Sequence, residues 1–569
     1  MSIDLIQSWR NRPWFAGRCA WRRTGRPLKL WPFKGHLTGP SDVKERILFM
    51  PLRRVSILVL SAVSFASVEI VHSPSAASYV ALMAGQRARG LNGTFNNVPV
   101  LHSNQPEIVT GPGILVNTAK GSAIAAETNQ PLRNPAYTFN GEFGVHMHHK
   151  YYPDDKSKLG GRRARGLLTL ALIATNPGRS PVTLNFDRGS VKNSFEAPYH
   201  SNNLMGVKPL GKRPWNTGPG DATAVQLLRS ELDRKLKPTV TIAPGESKVV
   251  VSTMLPARGI ANGLLHGRSD GPFTMAVVAA EETKNPAALI GVLHSGRLAP
   301  GRIYLNRIRE IQLGRVFSRV AGVALGDSYR ASIQHDVRQG PLHVPFTSTQ
   351  RHNFGTRDVQ VNQLATRMID SALNNIGTYG VRYDVDLNLS GSGTHQLVMS
   401  HPVVSGKKTF TAFRGSIRIE TREGIRDVHV GLRSGESLAL TDLNLIPGQP
   451  NPVRVSMVYP ADATPGHLLS VVPVQQLAML HRRQEQQREA RKRLEQEKNR
   501  PVVPKTAPPA IPKPAAPMAP LVPQVQKPPV FSPEPLTPAV RPAPATGADA
   551  RFNNAIQQQQ EWLRQLQGR

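Results

Sequence analysis

Between Asn97 and Val474 the sequence is a succession of short alternating apolar runs, each closed by Gly, Pro, Asn or Ser. A period of two buries one face of a strand, and the punctuating residues supply the turns. A chain written this way folds into β-sheets. Leu170, Leu172 and Ala174 lead into Asn176-Pro177-Gly178, after which Val182, Leu184 and Phe186 alternate again, which predicts a hairpin. The device returns where Val385, Leu387 and Leu389 lead into Ser390-Gly391-Ser392-Gly393, followed by Leu397 and Met399.

Three landmarks come round twice in the same order. Gly141-Glu142-Phe143-Gly144-Val145 matches Gly377-Thr378-Tyr379-Gly380-Val381, and each is followed by one of those turn-bearing pairs. A Pro-Gly turn then enters an alternating strand and a Pro-Ala pair: Pro244-Gly245 with Pro256-Ala257, and Pro447-Gly448 with Pro460-Ala461. Self-similarity of this kind marks a repeated unit. The expected fold is therefore mainly β, with two related antiparallel β-sandwich domains at 97–305, carrying insertions, and 306–474. One helix is expected in the first, where Asp221 can cap the run Ala222 to Leu232.

Five strings give these residues a family likeness: VPVLHSNQPEIVTGPGILVNT from Val98, YTFNGEFGV from Tyr137, RVAGVALG from Arg319, NIGTYGVRYDV from Asn375 and VYPADATP from Val458. Together they resemble a cyanobacterial family of exported proteins that carries a domain of unknown function, over roughly residues 97–474. The resemblance implies a bacterial envelope setting and supplies no catalytic residues.

The flanks are of different character. Arg53 and Arg54, the apolar run Val55 to Val68 and the small residues Ser75-Ala76-Ala77 have the order of a secretory signal over 50–77, cleaved after Ala77. The apolar run is shorter than the ~20 residues of a bilayer-spanning helix. Residues 1–49 hold four of the six tryptophans and no periodic apolar face, so Met50 is the expected initiator and 1–49 a non-native extension. Residues 78–96 form a linker. The only cysteine, Cys19, lies before the signal, which removes thiol and disulfide chemistry from the exported part.

At the other end, 475–500 reads as a charged helix, with Leu477 to Leu480 as the residues that could dock it. Residues 501–548 are a proline-rich disordered linker, with 16 prolines between Pro501 and Pro544. At ~3.1 Å per residue in polyproline II it could reach on the order of 130 Å. Residues 549–569 form a short amphipathic helix, with Phe552, Ile556, Leu563 and Leu566 on one stripe, suited to docking on another envelope protein.

Charge narrows the partners. Beyond residue 77 the chain holds 59 basic and 34 acidic residues, 59 − 34 = +25. In an exported protein such an excess is drawn to anionic cell-wall or extracellular polysaccharide. No zinc-finger spacing, RNP-type signature or basic zipper points to nucleic acid. Membrane contact is expected only through an uncleaved signal.

Chemistry is sparse. There is no P-loop, no dinucleotide-type glycine fingerprint and no G-x-S-x-G elbow. The one metal-like string is His146-x-His148-His149 followed by Asp154. On a strand His146 and His148 share a face and could hold a divalent metal, with His149 or Asp154 supplying a third ligand. Tyr151 and Tyr152 are the candidate ligand-facing aromatics. The expected function is that of an uncharacterised exported protein of the periplasm, outer envelope or extracellular space, binding or structural rather than catalytic. The alternative is a glycan or metal-dependent hydrolase with its site in the first domain.

Overall fold

A computed structural model of the chain describes residues 88–159, 166–199, 205–211, 217–316, 318–402, 410–461 and 463–498. The expected extension 1–49, the signal 50–77 with its cleavage at Ala77, most of the linker 78–96, the proline-rich linker 501–548 and the helix 549–569 lie outside the described residues.

The described chain is mainly β, with several sheets and a C-terminal helix. Two hydrophobic cores organise it. The first is filled from an eight-stranded sheet, through Leu101, Val145 and Met147, and from a four-stranded sheet, through Leu172 and Val277. The second is filled from a seven-stranded sheet, through Val385, Ile417 and Val455, and from another four-stranded sheet, through Leu397 and Leu469.

The two halves repeat one strand order. The first large sheet runs 239–242, 182–193, 260–269, 142–151, 99–103; the second runs 424–433, 411–421, 451–458, 382–390, 328–336. The small sheets run 247–256, 167–175, 274–281, 113–117 and 437–445, 393–400, 467–473, 342–346. Strand for strand, the chain visits these positions in the same sequence. Each large sheet also holds a parallel pair at the same place, Val100 beside Gly144 and Tyr329 beside Tyr383, so the sheets are mixed rather than purely antiparallel. In both halves the chain leaves the large sheet for the small one and re-enters beside its starting strand, which fixes that direction.

The strand order repeats, but the landmarks do not all keep register. Gly141 directly precedes the strand Glu142–Tyr151, whereas in the second half Gly380 rather than Gly377 stands at the opening of the equivalent strand Arg382–Ser390. Pro244-Gly245 opens the small-sheet strand Ser247–Pro256, whereas Pro447-Gly448 opens the large-sheet strand Asn451–Val458. The two expected hairpins are not hairpins either. Leu167–Thr175 and Val182–Asn193 lie in different sheets, as do Arg382–Ser390 and Gly393–Ser400. Each turn carries the chain from one sheet to another, and the two flanking strands send side chains into the same core. Alternation alone cannot separate these cases, because one face is buried in both.

Strands also cross the expected boundary at 305/306. Ala321–Leu325 and Leu364–Arg367 extend the first large sheet, while Thr94–Phe95 and Gly206–Pro209 extend the second. The helix Pro219–Leu228 is extra to the first half and has all ten residues buried. It touches 182–193 and 260–269 on one side and 411–421 and 451–458 on the other, so it lies between the two large sheets. Asp221 sits inside its first turn and does not cap it. Its carboxylate instead accepts from Ser416 Oγ at 3.0 Å and meets His429 Nδ1 at 3.1 Å, tying the helix to the second sheet. The C-terminal helix Val474–Lys498 docks by Leu477 against Val398 and Val472, while Met479 is exposed. No described helix is long and apolar enough to cross a membrane.

Candidate functional site

The strand Glu142–Tyr151 has both faces covered, which a simple alternating strand does not. Val145, Met147 and Tyr151 enter the first core. Gly144, His146, His148 and Lys150 point to the opposite face by the same two-residue period. Register then assembles a polar layer there. His102 lies beside His146 in the parallel pair, and Asn262 lies opposite His148 in the antiparallel one. His102 Nδ1 and His146 Nδ1 are 3.2 Å apart, and His148 Nδ1 is 2.9 Å from Asn262 Oδ1.

This face would meet water in a solitary sheet. Here it is covered by the buried helix, whose Thr223 accepts from Asn262 and whose Gln226 accepts from Ser190. The turn Asn375–Gly380 of the second half covers the rest. Asn375 Nδ2 approaches His102 Nε2 at 3.5 Å, and the Tyr379 ring lies 6.0 Å from both His146 and Tyr459. Gly380, at φ +80°, lets the turn come this close, since a Cβ there would sit 2.9 Å from Leu264.

Charge gathers at the end of the layer. Glu107 receives Lys150 at 2.7 Å and also binds Arg319 Nε. Burial by itself would raise the Glu107 pKa, but the Arg319 guanidinium and the Lys150 ammonium outweigh it and hold the carboxyl well below the usual range. For His149 the pull of Glu107 is smaller than the cost of burial, and His102 and His146 are dominated by burial. Burial brings His102 and His149 down to about 3 and His146 well below its ordinary value. At neutral pH these rings are uncharged.

The sequence-expected metal set is only partly assembled. His146 and His148 do share a face, but His149 turns into the core side, where its Nε2 lies 2.8 Å from Ser103 Oγ and its Nδ1 2.8 Å from the Pro106 carbonyl. Asp154 is exposed on the loop after the strand. Among the described residues no three of His, Cys, Asp and Glu are placed to hold a metal ion. Of the tyrosines, Tyr151 is enclosed in the first core at 1 % exposure, leaving Tyr152 half-buried at the surface.

The Ser103–His149 contact has the form of a nucleophile and base. A carbonyl only accepts, so His149 donates from Nδ1 and receives the Ser103 hydroxyl proton bond at Nε2. Both residues are 0 % exposed. With its pKa near 3, His149 is also far from the near-neutral value that suits a general base.

The family model described as "Protein of unknown function (DUF3370)" matches residues 86–473. The chain belongs to this family. Comparison with curated proteins gives no match. The family domain contains the whole buried layer, including His102, Glu107, Arg319, Asn375 and Tyr379, which sequence reasoning did not single out. His102 and Glu107 stand in the string VPVLHSNQPE, where alternation could have set His102 opposite Leu101. Nothing local to Arg319 or Tyr379 announces a partner more than 170 residues away.

Proposed function

We propose that this DUF3370 protein is an exported, non-catalytic binding or structural protein of the bacterial envelope, which contacts anionic polysaccharide through exposed basic side chains. The observation that carries this reading is the uneven fate of the charges. Residues 86–473 hold 44 basic and 27 acidic residues, 44 − 27 = +17. Many of the acidic groups are engaged, as in Glu107 with Lys150, Asp384 with Arg382, Asp386 with Arg454 and Asp427 with Arg418. Arg133, Arg179, Arg234, Lys237, Arg268 and Arg297 are exposed and enter none of these pairs. Surplus cations on a rigid β body present a field that attracts polyanions and weakens with salt.

The histidines support the same reading, since groups enclosed on all sides are out of a polymer's reach. Each pair of sheets sharing a core is read as a β-sandwich, and the repeated strand order as the product of duplication. The segment 50–77 delivers the protein, and the tail beyond Lys498 acts as spacer and docking peptide. Co-sedimentation of the full chain with polygalacturonate and with cellulose tests the binding. Binding to polygalacturonate is expected, falling several-fold between 50 and 500 mM salt, as set by the shortening Debye length. The combined variant Arg133→Glu, Arg234→Glu, Arg268→Glu should lose most of it. Equal, salt-insensitive binding to both polymers would sink the proposal.

A further inference from the structure

The buried polar layer serves no exposed site, and its chemistry is unusual for a structural joint. It holds three imidazoles on one sheet face where an ordinary interface would hold apolar side chains. The His102–His146 contact is the telling one. Two ring nitrogens 3.2 Å apart hold together with one proton between them, one ring donating and the other accepting. If both rings carry both protons, two N–H donors face each other and two like charges share a dry space.

The groups around this pair offer little relief. On its own sheet His146 meets His148 and Lys150 along the strand, His102 across the parallel pair, and the apolar Leu264 on the other side. Lys192 on the next strand is taken up by Asp233. From the helix comes Asp221, held by Ser416 and His429 of the second sheet. From the second half come Tyr379 and Tyr459, neutral rings, and Arg319, a cation. Glu107, at the end of the layer, is held by two cations, Lys150 and Arg319, and also feels His148. The core-side neighbours of His149 include the Arg302–Asp370 pair, itself closed. His146 Nε2 is buried with no hydrogen-bond partner.

A second imidazole pair continues the line. Tyr459, stacked on Tyr379, meets His467 Nε2 at 3.2 Å, and the His467 ring lies 5.2 Å from that of His401. Rings in contact thus run from His102 through His146, Tyr379, Tyr459 and His467 to His401, across the joint and into the second half.

We propose that the helix Pro219–Leu228 and the His102–His146–Tyr379 contacts form an acid-released joint: mild acid protonates the imidazoles and parts the two large sheets while both cores stay folded. The halves can survive parting because each has its own core, whereas the joint is filled by few apolar residues, Ala224, Leu227, Leu228, Leu264 and Val458.

Hydrogen exchange of the full chain from pH 7.5 to 4.5, corrected for the intrinsic rate, tests this. Amides of 219–228 and 375–380 should lose protection first, while 167–175 and 411–421 keep theirs. Below about pH 6.5, where an opened imidazole takes up its proton, the opening constant should rise about tenfold per pH unit for each proton taken up, and above it should be flat. The variant His102→Gln, His146→Gln should lower that slope by about two protons. Uniform loss across both halves would overturn the proposal, as would an unchanged slope in the variant. Should the variant not fold, the wild-type imidazole signals decide: His102 and His146 titrating near 6.5 in the closed state would equally overturn it.

Discussion

Arg302 and Asp370 are both 0 % exposed at their side chains, and their charges are satisfied almost wholly by each other. Arg302 Nη1 donates to both carboxylate oxygens at 3.1 and 3.0 Å, Gln105 Nε2 adds a bond at 3.1 Å, and Arg302 Nη2 reaches the Leu115 carbonyl. Arg302 Nε has no hydrogen-bond partner, so the guanidinium is already short of acceptors. The substitution Asp370→Asn keeps the shape and removes the charge. It leaves a buried cation facing an amide, and breaking such a pair costs about 3–5 kcal/mol. Urea unfolding at pH 7 reads this as a lower midpoint with unchanged slope. The double variant Arg302→Met, Asp370→Leu removes both charges together and should recover at least about 2 kcal/mol of the loss, since replacing a buried pair is far milder than breaking one. A loss below about 1 kcal/mol in Asp370→Asn would refute the reasoning, because it would mean that water reaches the arginine. A double variant as unstable as the single would refute it differently, by making shape rather than charge the cause.

Stability should fall with acid in a defined window. His102 and His149 have folded pKa values near 3 against about 6.5 when unfolded, so the unfolded chain binds more protons below 6.5 and their contribution is lost from there down to about 3. At pH 5 that is about 2 kcal/mol for each ring, read by urea unfolding at pH 8 and 5; a flat profile would contradict it. Asp221→Ala removes the acceptor shared by Ser416 and His429 and should cost about 1–3 kcal/mol, with exchange rising first in 219–228. Gly322→Ala would place a Cβ 2.1 Å from the Thr366 carbonyl oxygen, so the edge strand Leu364–Arg367 should lose its exchange protection while the rest of the sheet keeps it. Leu477→Ala should undock the C-terminal helix, seen as faster trypsin cleavage at Arg482 and Arg483, with the cores unchanged in urea.

The class of fold was legible because it depends on a local signal. Alternation such as Tyr383-Asp384-Val385-Asp386-Leu387 settles which side chains are buried, and Asp384 and Asp386 do lie outward, paired with Arg382 and Arg454. What alternation leaves open is the partner of each strand. Val182 to Phe186 alternates equally well beside Leu170 to Ala174 or across a core from it, and the structure chooses the second. The repeat shows the same limit. Glycines such as Gly141 and Gly380 adopt positive φ at equivalent strand openings and are visible as residues, whereas a Pro-Gly turn can open any strand and so misaligned the halves by one.

The site was legible only in its most local part. His146 and His148 share a face because a strand has a period of two, and that much follows from spacing. Whether the face is a metal site, a wet surface or a buried joint depends on what lies over it. That is set by a helix some 70 residues later and a turn some 230 residues later, neither of which resembles a ligand. The covering layer also reverses the meaning of the histidines. In water a pair of imidazoles is an invitation to a cation, since it is neutral, basic and accessible; enclosed beside Tyr379 and a tightly packed helix, the same pair keeps its nitrogens and loses its basicity. A histidine string on an alternating strand therefore becomes evidence for a binding site only once the opposite face is known to be open. In this chain both faces of the strand are closed, and the charge that remains free to meet a partner lies on the exposed arginines and lysines instead.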